Sequence, residues 1–215
     1  IQQSQPTEEL FNAIRHDYGE EVLGIVLALC KISDIKLKVS KEQASDFRDM
    51  IVSYSEDPRV ILIKLADRLE VMRSLDIFPE AKRRTKSWES LNLYAQIAHK
   101  LGLYAIKSEL EDLSLKYLET EAYNHIVHEL KESEKERMAF IEEFLKPIRE
   151  LLDRDGLKYH IKSRTKSVYS IFQKMRKQKV SFKGVYDIFA LRIIIDCPVE
   201  REKALCWTVY SHVAS

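Results

Sequence analysis

Apolar residues return at helical spacing over most of this chain, and the pattern changes character near residue 155. Residues 7 to 16 and 20 to 31 read as two helices separated by Gly19. In the second, Val22, Leu23, Ile25, Val26, Leu27 and Leu29 form so continuous an apolar run that burial is expected. Ser40 and Gln43 make a capping box opening a helix with Ala44, Phe47, Met50, Ile51 and Tyr54 on one face. Asp57 and Pro58 supply an N-cap and a first-turn proline for VILIKLADRLEVMRSL, which is apolar nearly all round. From Pro79 to about Arg154 the helices continue. Trp88, Leu91, Tyr94 and Ile97 mark one, and Leu110, Leu113 and Tyr117 another. Lys135 to Arg154 forms a third, which Pro147 should kink or break.

Asp155-Gly156 ends this region, and Leu157 begins an α/β part: strand, basic turn, helix, loop and a strongly apolar strand from Ile188 to Ile195. Pro198 then opens a helix through Trp207 and Tyr210. The predicted fold is therefore mainly α, followed by the start of an α/β domain. Roughly 60 residues cannot cover both faces of such a sheet, so the strand Ile188–Ile195 is expected to pair with chain outside this sequence.

Within the α/β part, Val168, Ile171, Phe172 and Met175 make one buried stripe. Lys166, Ser170, Lys174 and Lys177 take the opposite side, Arg164 stands just before the helix, and Asp187 enters the apolar strand. Cations spaced along a helix and facing one acid suit a polyphosphate and its divalent metal. The charge pattern by itself equally fits a solvated basic face or a footprint for nucleic acid. A second acid, Asp67, sits on the apolar helix after Pro58. There it must be paired, hydrogen-bonded or metal-bound, with Lys64 and Arg68 as the internal partners. His125 and His128, three apart, have no evident carboxylate or cysteine partner and read as surface residues.

Composition narrows the class. Apolar content of 45% and charged content of 32% describe a globular chain, and a net charge of +1 supplies no global field for nucleic acid or membrane. Ten Gly and Pro residues together disfavour many-stranded sheets. Cys30, Cys197 and Cys206 lack metal-binding spacing and read as reduced thiols of a cytoplasmic protein. No apolar run approaches the roughly 20 residues of a membrane span, and no signal peptide is evident. The first residue is Ile, so a fragment or processed chain is expected.

SRTKSVYSIFQKMRKQKVSFKGVYDIFALRIIID resembles the opening of the synthetase domain of RelA/SpoT homologues, the enzymes of the alarmones ppGpp and pppGpp. The family pattern, roughly G-R-x-K-x-x-Y-S-I-x-x-K-M and then F-x-x-I-Y-D-x-x-A-x-R-x-I, is matched at Arg164, Lys166, Tyr169, Ser170, Ile171, Lys174, Met175, Phe182, Tyr186, Asp187, Ala190 and Arg192. Ser163 and Thr165 replace the usual Gly and Pro. IKLADRLEVMRSL resembles a signature of the same family's hydrolase domain, and IAHKLGLYAIKSELEDLSLKYL its connecting helices. The likeness spans about residues 7 to 215. His16-Asp17 is a dipeptide of the kind that ligates metal in HD-class phosphohydrolases. Its place beside Gly19, before GEEV, argues against that role here.

The resemblance implies a partial HD-type hydrolase domain over 1–90, connecting helices over 91–154 and the first part of a (p)ppGpp synthetase domain over 155–215. It implies pyrophosphate transfer from ATP to the 3′-hydroxyl of GDP or GTP. Asp187 would be the catalytic, Mg2+-binding acid, and Arg164, Lys166, Ser170 and Lys174 would be nucleotide contacts, Arg164 stacking on adenine. It implies Mn2+ at Asp67 for a (p)ppGpp hydrolase, with Val71 and Ser74 on the same pocket face. The family's second synthetase acid and the hydrolase HD pair are expected outside this sequence. Ribosome or tRNA contact would come only through regions outside it, and no membrane contact is expected.

One departure matters. Where the family reads L-A-D-R-L-H-N-M-R-T-L, this chain has Glu70 for His and Val71 for Asn, which points to weakened hydrolysis. A hydrolase-dominant enzyme and a non-catalytic nucleotide-binding or regulatory helical module are the alternatives.

Overall fold

The computed structural model describes residues 8–34 and 57–214. The helix expected from Ser40, with Ala44, Phe47, Met50, Ile51 and Tyr54, lies outside the described residues. The chain divides into two compact units, 1–119 and 120–215, each taken by itself below.

The first unit is helical throughout its described residues. Helix α1 (Glu8–Asp34) bends at Gly19, whose φ of 85° and ψ of 171° separate two segments as the sequence predicts. The second segment is less buried than its apolar run suggests. Among its described side chains Leu23 is buried, while Val22 and Leu27 are more than a third exposed. The reason is geometric: among the described residues α1 packs chiefly on one neighbour, and one stripe (Ile25, Ala28 and Leu29) reaches the core.

That neighbour is α2 (Pro58–Arg73), opened by Asp57, whose Oδ1 accepts the Arg59 N–H at 2.9 Å. Val60, Ile61, Leu65, Leu69 and Met72 are buried. Leu62 and Ile63 are 47% and 44% exposed, so the helix buries one side, not its whole circumference. A 3-10 turn (Leu75–Ile77) leads to α3 (Glu80–Glu89), which continues through a π turn (Ser90–Tyr94) into α4 (Ala95–Lys100). The wider turn shifts the helix phase, so that Leu93, Tyr94, Ile97 and Ala98 all enter the core. Helix α5 (Tyr104–Leu118) completes this core with Leu110.

The second unit holds α6 (Thr120–Glu132), α7 (Glu134–Arg154), β1 (Tyr159–Thr165), α8 (Val168–Gln178), β2 (Phe189–Ile195) and α9 (Val199–Ala214). Helix α7, where a kink or break is expected at Pro147, runs through the proline unbroken. Its stripe Ile141, Leu145, Ile148 and Leu152 is buried on both sides of the proline, and that packing outweighs one lost backbone hydrogen bond.

Strands β1 and β2 are antiparallel, with Tyr159 opposite Ile195 and Thr165 opposite Phe189. Strand β2 pairs with β1 along its whole length, which fills one of its two edges; the expected pairing with chain outside the sequence concerns the other edge. Tyr159, Ile161, Phe189, Leu191, Ile193 and Ile195 face α7 and Val209 of α9. The alternate residues His160, Lys162, Arg164, Ala190 and Arg192 are exposed, leaving the second face of this sheet open. Cys30, Cys197 and Cys206 are free thiols. No helix among the described residues is long and apolar enough to cross a membrane.

Candidate active site

Three local devices bring the basic helix and its acid together. Ser167 caps α8: in extended backbone, its Oγ accepts the Ser170 N–H at 3.3 Å. Ile171 and Phe172 are buried, and α8 packs on α6. At the other end Lys179 closes the helix in the left-handed conformation, φ 55°. The chain then turns through Phe182–Gly184, and a Cβ on Gly184 would stand 2.8 Å from Val180 Cβ, so only glycine lets the turn close. The sheet register extends one step past the strands, the Lys166 N–H donating to Ile188 O at 2.7 Å. Asp187, next in the chain to Ile188, is thereby held beside the start of α8.

Its carboxylate takes one ammonium on each oxygen: Lys166 Nζ on Oδ2 and Lys174 Nζ on Oδ1. Half of the Asp187 side chain is exposed. The Lys166 hydrogen bond first, then that of Lys174, holds the carboxyl down at about 2, so it is ionised at any physiological pH. Lys166, Ser170 and Lys174 recur at four-residue steps, and the carboxylate that both lysines reach spans the row whose middle member is Ser170. Arg164, expected just before the helix, forms part of β1 opposite Ala190, a short step ahead of the Ser167 cap, because the strand pairing continues to Thr165. Its side chain is exposed on the open face of the sheet, and on the same face Arg192 stands directly across from Lys162. Lys177 is exposed on α8.

This donor set fits a divalent cation that arrives with a nucleotide. Mg2+ is commonly held by one or two carboxylates plus substrate phosphates, and Asp187 is an accessible, ionised carboxylate between two ammonium groups.

The face around Asp67 is less complete. Asp67 is on the exposed side of α2, not inside it, and pairs with Lys64 at 3.5 Å. Arg68 turns the other way, donating to Glu89 Oε2 at 2.9 Å with its guanidinium 4.2 Å from the Tyr94 ring centroid. Val71 is half-buried and packs against the helical core. The Ser74 hydroxyl donates to its own helix, to Glu70 O at 3.0 Å. Among the described residues no three His, Cys, Asp or Glu converge on a point, so they do not by themselves complete a metal centre. His16 and Asp17 are exposed and bond to each other, Nδ1 to Oδ1 at 2.8 Å. His125 and His128 are exposed on α6.

Residues 2–104 match the family model of the HD domain, and residues 163–215 match that of the region found in RelA / SpoT proteins. A guanosine-3′,5′-bis(diphosphate) 3′-pyrophosphohydrolase of Aquifex aeolicus is 37% identical over 212 residues, 98% of this chain. The chain belongs to the RelA/SpoT homologues. A GTP pyrophosphokinase of Myxococcus xanthus is 38% identical over 198 residues, 90% of the chain. A GTP pyrophosphokinase of Brucella melitensis biotype 1 is 33% identical over 190 residues, 87% of the chain. The chain spans 30%, 26% and 25% of those three relatives' own lengths.

In this RelA/SpoT homologue, sequence reasoning named Lys166, Ser170, Lys174 and Asp187, and the fold brings the three charged groups into contact. It overlooked Ser167, although Ser before an apolar helical stripe is a cap signal. It matched Arg192 to the family pattern without seeing that it shares a face with Arg164. Strand alternation carries that signal only once the register is known.

Proposed function

We propose that this RelA/SpoT homologue takes part in alarmone synthesis, the transfer of pyrophosphate from ATP to the 3′-hydroxyl of GDP or GTP, in the cytoplasm. The observation that carries the reading is the Lys166–Asp187–Lys174 contact, in which two cations from different elements meet at one accessible carboxylate. A polyphosphate offers both ammonium groups an alternative anion, with charge-assisted hydrogen bonds of the strong kind. Lys166 and Lys174 would hold the ATP phosphate chain against the N-terminal end of α8, where the helix dipole adds to their attraction. Ser170 would donate a further hydrogen bond, and Arg164 on the open sheet face would take the adenine ring. Asp187 would hold Mg2+, which when bound neutralises charge that develops on the phosphate oxygens.

For the helical unit we propose that (p)ppGpp hydrolysis is weak, leaving a synthetase-biased enzyme. Asp67 can offer Mn2+ one carboxylate. Val71, where the family pattern has Asn, can neither donate nor accept a hydrogen bond, and its side chain contributes to the core instead.

Both readings are tested with the full-length protein. Lys174→Ala should weaken ATP binding about 10- to 100-fold, the range of one lost charge-assisted hydrogen bond of about 1.5–3 kcal/mol. Affinity like wild type removes the polyphosphate from this face. For hydrolysis, pyrophosphate release from ppGpp with manganese is compared in wild type and in Glu70→His with Val71→Asn. Robust release by wild type, unchanged by the two substitutions, refutes the proposed lesion.

A further inference from the structure

No Asp or Glu stands between Asp155 and Asp187, although the chain as a whole is balanced to a net charge of +1. Lys166 and Lys174 in this stretch are held by Asp187. Further cations gather past them, where α8 ends: Arg176, Lys177, Lys179 and Lys183, all exposed. The backbone draws them together. The N–H groups of Lys179 and Val180 both return to Met175 O, that of Val180 at 3.1 Å, which folds the chain back at the helix end. The following turn brings Gly184 against Val180, where a Cβ would stand 2.8 Å from Val180 Cβ. Lys179 and Lys183, the residues before each, are thereby brought near one another.

Arg176 and Lys177 need no ligand to explain them, because cations in the last turn complement the helix dipole. Lys179 is different. It closes the helix at φ 55° and ψ 41°, the one positive φ outside glycine among the described residues. Glycine or asparagine is usual there, and lysine is held in that conformation at a steric cost. An outlier of this kind, kept with a charged and exposed side chain, points to a binding surface. The apolar side chains Phe182 and Val185 face inwards, 5% and 3% exposed, so the turn offers a lipid surface little to hold. Tyr186 is the exception, 94% exposed and three residues on from Lys183. Cations on flexible stems beside an open aromatic ring suit a strand whose phosphates need charge and whose unpaired bases need a face to stack on. We infer that the end of α8 and the turn after it are a contact for a single-stranded polynucleotide, with these four cations on its phosphates and the Tyr186 ring against a base. Such a contact is independent of the nucleotide role of Lys166 and Lys174, and it departs from the expectation that RNA is met only by regions outside this sequence.

Replacing Lys179 by Gly separates binding from folding, because the first should weaken while the second does not. Binding of a fluorescent oligouridylate of about 12 nucleotides to the full-length protein is followed by anisotropy as salt is raised. The forms compared are wild type, Lys179→Gly, Lys179→Gly with Lys183→Gln, and Tyr186→Ala. Oligothymidylate of the same length and vesicles of acidic phospholipid are run beside it. Each phosphate contact on a single strand contributes about 0.7 to the salt slope, so each lysine removed should lower the slope by that amount and the affinity at about 0.1 M salt about fivefold. Lys179→Gly should do so with a thermal midpoint at or above that of wild type, since glycine takes the conformation without strain. Tyr186→Ala should weaken binding about fivefold or more and leave the slope unchanged. Both oligonucleotides should bind, and saturating ATP should displace neither. Equal slopes and affinities in wild type and the double variant overturn the inference. So does displacement by ATP, which would put the oligonucleotide at Asp187. A loss of affinity in Lys179→Gly that follows a fallen thermal midpoint is a folding effect and overturns it. Binding to the vesicles but to neither oligonucleotide assigns these cations to a lipid surface and overturns it too.

Discussion

Replacing Asp187 by Asn keeps the side chain's shape and removes its charge, and the structure gives the two resulting effects opposite signs. In the free protein the carboxylate holds Lys166 and Lys174, so ATP must draw both ammonium groups from an internal partner. An exposed ion pair of this kind favours its closed form by a factor of roughly 1.5 to 5. Releasing both lysines should therefore raise the affinity for magnesium-free ATP by about 2- to 20-fold, the product of two such factors. With magnesium present the sign reverses. The amide offers the cation no charge, and alarmone synthesis should fall about 100-fold or more, the scale on which a bound cation stabilises phosphoryl-transfer charge. Calorimetric titration of ATP in a chelating buffer measures the first effect, and product formation from ATP and GDP with magnesium measures the second. The gain should shrink as salt rises, because the contacts are exposed. Metal-free ATP binding that weakens in Asp187→Asn would refute the claim that this carboxylate restrains the lysines. Undiminished synthesis would refute its catalytic assignment.

Two further outcomes are expected. Gly184→Ala puts a Cβ 2.8 Å from Val180 Cβ and should destabilise the second unit by about 1–3 kcal/mol, with recovery when Val180→Ala is added; equal melting of wild type and Gly184→Ala in circular dichroism counts against the close approach. Glu111 is 3% exposed, with Lys107 Nζ 2.9 Å from Oε2 but outside hydrogen-bonding geometry, and burial raises its carboxyl despite that ammonium. The folded state thus favours the protonated acid, so stability should fall as pH rises from its ordinary value of 4.5 through the raised one. Glu111→Gln should remove that slope in denaturant titrations across pH, and an identical slope in the variant would refute it.

The sequence by itself determined the parts of this protein that depend on short-range spacing. Helical periodicity, the cap at Asp57-Pro58 and the interruption at Gly19 suffice to place helices, because each is settled within a turn or two of chain. The change of period near residue 155 likewise marked the strand–helix–strand–helix order, and the spacing of Lys166, Ser170 and Lys174 defined one row. Tertiary structure decided what depends on partners distant in the chain. The apolar segment of α1 and the helix α2 looked wholly buried, but each has a finite set of neighbours, so Val22, Leu27, Leu62 and Ile63 stay exposed. Pro147 looked like a break, and the packing on either side of it holds α7 together. Strand β2 has β1 along one edge, and only that register sets Arg164 and Arg192 on one face. Asp67 was expected inside a helix and is at its surface, because residue spacing gives a helix face but not which neighbour covers it. The meeting of Asp187 with both lysines required the strand pairing at Lys166 and Ile188 together with the glycine turn at 184. The strand pairing joins residues 22 positions apart and the two lysine contacts residues 21 and 13 apart, which no local pattern specifies.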